Sequence, residues 1–364
     1  MIFILVLLVI ILVHEFGHFI VAKKSGIRVD EFGFGFPPKL FGKKFGETEY
    51  TFNLLPIGGF VKIFGETPNE GSLSEKDIQR SFIHKSKLTQ AAVLSAGVFF
   101  NFLLAWVLII LTFSLGILSS VNNTLPEGAY IEDAQPMFVA VAKTSAAYEA
   151  GIRSGDLPTR LISEGDTLLK MTNADLQEFV ADHTTDTITV EYKKRSGDVY
   201  SVNVVPQMSE TLGRSILGVA VEDVGTLVLP SFGSAVVEGT KYTGAAIVGI
   251  AGGLHSFLMN VIAGSANFEE VAGPVGLFGI VGDAAAGGSV AIIMLTAVIS
   301  INLGIINLLP FPALDGGRLL FLGIEAFRGK PIQPQIINVL NSLGFFFLIF
   351  LMIMITYHDV VKMF

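Results

Sequence analysis

Met1-Ile-Phe-Ile-Leu-Val-Leu-Leu-Val-Ile-Ile-Leu-Val-His14-Glu15-Phe16-Gly17-His18-Phe-Ile-Val-Ala22 places two imidazoles and a carboxylate inside an otherwise apolar run. At about 1.5 Å per helical residue the run is long enough to cross a hydrocarbon core of about 30 Å. It carries no basic n-region and no small-residue cleavage site, so it is expected to be a span rather than a cleaved signal. On that helix His14 and His18 stand at i and i+4, on one face, and can hold a single zinc ion at about 2.0–2.1 Å. Glu15 is offset by about 100° and can reach a water at such a site as a general base. Polar groups this deep in an apolar helix are costly unless paired or ligated, which favours a functional reading.

Working outward, three further apolar runs match the first: about 88–118, 289–309 and 336–357. Four spans are therefore expected. A fifth stretch, Ala235–Ile262, carries Glu238, Lys241 and His255 and reads as an interfacial amphipathic helix. Of the 364 residues 51% are hydrophobic and 15% charged, against about 25% charged in soluble proteins. That composition excludes an ordinary soluble enzyme. The net charge of −8 argues against a nucleic-acid partner. With no cysteine, disulfides and thiolate chemistry are excluded.

The charges are segregated. Residues 23–87 hold 11 Lys+Arg and 8 Asp+Glu, a net of +3, while residues 120–288 hold 9 and 20, a net of −11. Lys23, Lys24 and Arg28 follow the first span, Lys85 and Lys87 precede the second, and Arg318, Arg328 and Lys330 lie between the third and fourth. Basic loops stay in the cytoplasm. Both termini and the acidic insert are then expected outside.

Within the insert, Thr187–Tyr192 and Val199–Val204 alternate at period two around the turn cluster Lys193–Asp198, and Ala174–His183 has a short-helix pattern. Ser145-Ala-Ala-Tyr-Glu-Ala-Gly-Ile-Arg-Ser-Gly-Asp156 is similar to the helix and turn of PDZ domains, which bind extended peptides at a sheet edge. The expected organisation is 1–119, a first membrane half; 120–230, an extracytoplasmic PDZ-like domain; 231–288, an interfacial connector; and 289–364, a second membrane half.

A zinc hydrolase needs a third protein ligand. Asp315 is the best candidate, in Asn307-Leu-Leu-Pro310-Phe-Pro312-Ala-Leu-Asp315-Gly-Gly-Arg318. It follows the third apolar run, where the two prolines break the helix, and irregular backbone at that depth needs protein or a water-filled cavity around it. A helix N-cap is the plainer role for such an aspartate. The competing function, a membrane scaffold with an inactive site, gives Glu15 nothing to do.

Together, His-Glu-Phe-Gly-His in the first span, Asn307–Gly317 before the last, and a PDZ-like insert between the second and third spans resemble the site-2 protease family, in its bacterial regulator-of-sigma-E form with a single PDZ domain. The resemblance implies a multi-span α-helical membrane protein with four transmembrane helices, a membrane-associated β-hairpin and an inserted PDZ-like α+β domain. It implies one Zn2+ on His14, His18 and Asp315, with Glu15 as the catalytic glutamate. It further implies substrate contacts at Asn307, Pro310 and Pro312, and at Asn53, Leu54, Gly58 and Gly59 of the hairpin Phe52–Lys62. Single-span membrane proteins, such as anti-sigma factors or signal-peptide remnants, would be the substrates, met within the lipid bilayer. The PDZ-like domain would exclude bulky substrates or capture a peptide C-terminus. Val98 departs from the family's usual proline, while Asn101 is kept and expected to contact neighbouring helices.

Overall fold

A computed structural model describes residues 1–66, 75–142, 144–194, 197–209, 213–265, 271 and 273–361. Arg195 and Ser196, within the turn cluster named above, lie outside the described residues. The chain divides into two compact units, 1–109 with 239–285 and 292–364, and 110–238 with 286–291.

The larger unit begins with helix α1 (Ile2–Lys24), which ends after Lys23 and Lys24, two cations suited to a helix C-terminus. Strands β1 (Val29–Phe45) and β2 (Thr48–Ile63) follow, then the short helix α2 (Glu75–Arg80) and α3 (Lys87–Leu115). The two strands form more than a simple hairpin. Residues 29–34 of β1 pair with 59–63 of β2 on one side, 31–34 pair with 49–52 on the other, and residues 39–45 pair with 48–53. Each long strand bends once, β1 at Pro37-Pro38 and β2 just before Gly59, so two strands build a four-segment ribbon whose outer pairs are antiparallel and whose central pair, 31–34 with 49–52, runs in the same direction. The segment Gly59–Ile63 is one of its two outer rungs, and no strand pairs with its far edge among the described residues.

The smaller unit carries β3 (Ile117–Ser120), β4 (Tyr130–Val141), α4 (Ala146–Glu149), β5 (Leu157–Ser163), β6 (Asp166–Leu168), α5 (Asn173–Asp182), β7 (Ile188–Lys193), β8 (Val199–Val204), β9 (Gln207–Ser209), β10 (Arg214–Ile216) and β11 (Val219–Val228). They form an antiparallel sheet of order β6-β5-β7-β8, a second of order β3-β11-β4, and the small pair β9-β10. Inward residues of both larger sheets and of α5, among them Phe138, Leu161, Leu176, Val190 and Val221, make one core. Local chemistry sets the helix starts. Ser145 accepts from the Tyr148 N–H, and Thr172 with Asp175 closes a capping box. The alternating strands expected at 187–192 and 199–204 are β7 and β8, paired antiparallel with Val190 opposite Val202.

The chain then runs through α6 (Phe232–Ile262), α7 (Pro274–Ala286), α8 (Ser289–Leu308), α9 (Asp315–Arg328) and α10 (Pro334–Val361). Among the described residues, α1, α3, α6, α8 and α10 are long and apolar enough to cross a membrane. Four of these carry the four expected runs. The fifth, α6, is the stretch read from sequence as interfacial; it is one continuous 31-residue helix.

Two features hold the membrane unit together around the first helix. Phe19, Ala22, Ile27, Val29, Ile63, Val93, Leu94 and Leu322 form one core joining α1, both strands, α3 and α9. The backbones of α1 and α3 also approach so closely that a Cβ on Gly17 would stand 2.5 Å from the Ala96 carbonyl oxygen. In lipid, where burial of apolar surface drives little association, such small-residue contacts are what bring helices together.

Candidate active site

His14 and His18 point from one face of α1, 7% and 8% exposed. Their Nε2 atoms lie 3.2 Å apart. Asp315 Oδ2 completes the group, 3.1 Å from His14 Nε2 and 3.3 Å from His18 Nε2. Tetrahedral zinc with bonds of about 2.0–2.1 Å needs its ligand atoms about 3.3 Å apart. The three donors therefore stand at the spacing one metal ion requires, and the group could hold one. Asp315 Oδ2 is fully buried and accepts no hydrogen bond. A buried carboxylate oxygen left without a donor is expensive, and a cation at the centre of this triangle would satisfy it.

Asp315 reaches the triangle because α8 stops short. Leu308 is its last residue, and Pro310 and Pro312 offer no N–H to continue it. The chain turns through Ala313, held at φ +74°, whose N–H donates to Asn341 Oδ1 at 3.1 Å. Helix α9 then opens on Asp315 itself, so its carboxylate sits at a helix N-terminus, where the dipole favours an anion. A Cβ on Gly316 or Gly317 would strike the carbonyls of Leu308, Leu309 and Phe311, so the loop can fold tightly over the first turn of α9.

A cavity of about 260 Å3 opens on this cluster, lined by Ile11, His14, Glu15, Leu303, Asn307, Ala313, Leu314 and Asp315. Glu15 and Asn307 thus face the same space as two of the donors. The hairpin comes to the same place: a Cβ on Gly59 would stand 3.2 Å from Glu15 Cγ and 3.4 Å from Ile11 Cγ2. This outer rung of the ribbon therefore passes directly beside Glu15.

The other sequence candidates are placed as follows. Pro310 and Pro312 form the turn that ends α8 and do not line the cavity; a Cβ on Gly344 of α10 would come 2.5 Å from the Pro312 carbonyl oxygen. Asn53 is buried, and its amide donates to the Gly35 carbonyl at 3.0 Å, bracing the ribbon. Leu54 is exposed. Gly58, at φ +105°, packs against the Phe36 ring at the bend of β2.

Helix α3 supplies a layer behind the histidines, of which the sequence reading named only Asn101, as a contact to neighbouring helices. The His18 imidazole meets the Val93 carbonyl through Nδ1 at 2.8 Å, and Asn101 Nδ2 lies 3.1 Å from His14 Nδ1. Between them stands Gly97, where an added Cβ would fall 2.6 Å from His14 Cε1. Val93, Gly97 and Asn101 recur every four residues, so they form one stripe on α3. That spacing is visible in the sequence, but a backbone carbonyl leaves no signature there. Arg318, one turn beyond Asp315, is ion-paired with Glu66 at the end of the ribbon.

A buried His-His-Asp cluster with a glutamate beside it, among membrane-length helices, defines a metalloprotease of the H-E-x-x-H type. The profile of Peptidase family M50 matches residues 2–351, and the chain belongs to that family. It is 34% identical to a Clostridium perfringens protein named as a zinc metalloprotease, over 97% of this chain and 95% of that one. It is also 28% identical to zinc metalloprotease RasP of Shouchella clausii, and 27% identical to regulator of sigma-W protease RasP of Bacillus subtilis, each over 100% of this chain and 98% of the relative. The chain is a zinc metalloprotease and a multi-pass membrane protein.

Proposed function

We propose that the protein is an intramembrane protease that cuts single-span membrane proteins within or near their transmembrane segment. The observation that carries this reading is the shared cavity. A triad of donors at zinc spacing, the carboxylate of Glu15 and the amide of Asn307 meet inside a group of membrane-length helices. In this reading His14, His18 and Asp315 hold the zinc ion. Bound there, zinc supplies Lewis-acid polarisation of a carbonyl and lowers the pKa of a water to about 7.

The remaining chemistry belongs to the chain. Glu15 takes a proton from the attacking water and returns it to the leaving amine nitrogen. The Asn307 amide can donate to a carbonyl oxygen of the bound strand. A helical substrate keeps its carbonyls hydrogen-bonded, so it must unwind before attack. The open edge of Gly59–Ile63, beside Glu15, offers the freed strand the backbone partners it lost. Pro310 and Pro312, in the turn that carries Asp315, and Gly58 and Gly59 of the ribbon are further substrate contacts in this reading, with Asn53 bracing the ribbon and Leu54 facing outward.

The charge pattern supports a topology of four spans, with α6 at the interface. It puts residues 23–87 in the cytoplasm, and both termini and residues 120–230 outside a bacterial inner membrane. The outer unit is read as a single PDZ-like domain that either excludes substrates with bulky external domains or captures a peptide C-terminus. Anti-sigma factors and signal-peptide remnants are the substrate types this arrangement suits.

The test is cleavage of a reconstituted single-span substrate by the full-length enzyme. Glu15→Gln should abolish cutting while keeping zinc, and phenanthroline should abolish cutting by the parent. Cutting by Glu15→Gln would refute the role of Glu15. Full zinc retention by a His14→Ala, Asp315→Ala double variant would refute the ligand set. An inactive scaffold predicts no chelator-sensitive cutting by the parent at all.

A further inference from the structure

We propose that Asn101 is a positioning residue that holds the His14 imidazole in its metal-binding tautomer, by rotating its amide when zinc enters. The inference rests on the ligand set proposed above. A neutral imidazole that ligates through Nε2 must carry its proton on Nδ1, and that proton needs an acceptor. His18 has one, since its Nδ1 lies 2.8 Å from the Val93 carbonyl oxygen. That carbonyl belongs to a helix, and the residue one turn on is Gly97, so no side chain covers its second lone pair.

His14 has no backbone carbonyl in the same position. The group at its Nδ1 is the Asn101 amide, fully buried and 3.1 Å away. The amide presents Nδ2, a donor, which suits a His14 with its proton on Nε2. Such a histidine cannot ligate through that atom. Asn101 Oδ1 meanwhile is buried and has no hydrogen-bond partner. A half-turn of the amide exchanges the two ends with almost no change in shape. Oδ1 then accepts from Nδ1–H, and Nε2 is left bare toward Asp315 and His18. One end of the amide is unpartnered in either orientation, so the two differ chiefly in the bond made to His14. Ligation selects the second.

Asn101 is held rigidly enough to act in this way. Its own backbone carbonyl accepts from Ser300 Oγ of α8 at 2.8 Å, which fixes α3 against α8 at this level. Val93 and Asn101 therefore orient one histidine each, from one stripe of one helix, with Gly97 leaving room for both rings.

The experiment is zinc affinity, measured on full-length protein in detergent by competition with a chromophoric chelator. Asn101→Leu keeps the volume and removes the acceptor; it should weaken zinc binding by about 10–100-fold. Asn101→Asp restores an acceptor and should bind zinc at least as tightly as the parent. Thermal unfolding of the metal-free proteins reports packing separately. Asn101→Ala gives the same comparison should Asn101→Leu fail to fold. Parent-like affinity in the Leu or Ala variant overturns the proposal. So does equal weakening in Asp and Leu variants, because that would make the residue a packing element only. His14→Ala, run alongside, tests the ligand set itself: unchanged zinc affinity there overturns that reading regardless of how the Asn101 variants rank.

Discussion

Gly97→Ala is a one-carbon change whose effect can be worked from the structure. The added Cβ would stand 2.6 Å from His14 Cε1 and 2.7 Å from His14 Nε2, and it would also overlap His18 Nε2. Carbon reaches its optimal contact at about 3.5 Å, so the rings must retreat by about 0.8–1.2 Å. Metal–ligand distances tolerate only about 0.2 Å. Neither ring can move away freely, since one Nδ1 faces Val93 and the other Asn101. Zinc affinity should therefore fall by at least about 100-fold, the upper end of what changes behind the ligands cause. Helix propensity works the other way, favouring alanine by about 0.5–1 kcal/mol. A general collapse of α3 is thus not the expected cause. The assay is zinc per protein after equilibration against graded chelator, with substrate cleavage in parallel. Parent-like zinc retention and cleavage would refute the placement of α3 against the two histidines.

Three other outcomes follow from separate features. Gly59→Val should push the outer rung away from Glu15 and lower kcat/KM by about 10-fold or more with zinc content unchanged; an unaltered kcat/KM would mean the rung plays no part in placing substrate. In the smaller unit, burial pushes the Asp156 carboxyl above the usual range, while the bond from the Arg153 N–H, 2.8 Å long, pulls it down. A raised acid is stabilising below its unfolded pKa of about 3.9, and that stability is lost as pH rises through the higher folded value; calorimetry of Asp156→Asn should show this loss flattened, and an unchanged pH profile would refute it. The chain has no native cysteine, so single cysteines at Ser231 and Ser265 report on α6 cleanly: both should react with an impermeant maleimide from outside, and reaction of only one would make α6 a fifth span.

Much of the site was legible because its geometry is local. His14 and His18 meet through the period of one helix, and Asp315 follows from a proline-broken turn that any reader of 307–318 can see. What sequence could not carry lies between elements. The Val93 contact is made by a backbone atom, and the Asn101 contact depends on how α1 crosses α3. Arg318 was read only as a cytoplasmic cation, yet it pairs with Glu66 across the unit. The hairpin was legible as β-prone and glycine-hinged, but the pairing of residues 31–34 on both sides depends on two bends whose angles the sequence does not state. Helix α6 shows the limit of composition: Glu238, Lys241 and His255 suggest an interface, while its length and apolarity equally suit a crossing.

The bends in β1 and β2 leave one rung of the ribbon bare beside the glutamate. A bare strand edge meets only N–H and C=O groups, which every residue but proline presents alike. On the proposed reading, selection at this edge depends on the ease with which a helix gives up its own hydrogen bonds, and hardly on the identity of its side chains. Victims of such an enzyme would share a weakness, the helix-destabilising glycine, proline or polar residue within a span, rather than a consensus. Unrelated membrane proteins could then enter or leave its repertoire by a single substitution, without any change in the protease.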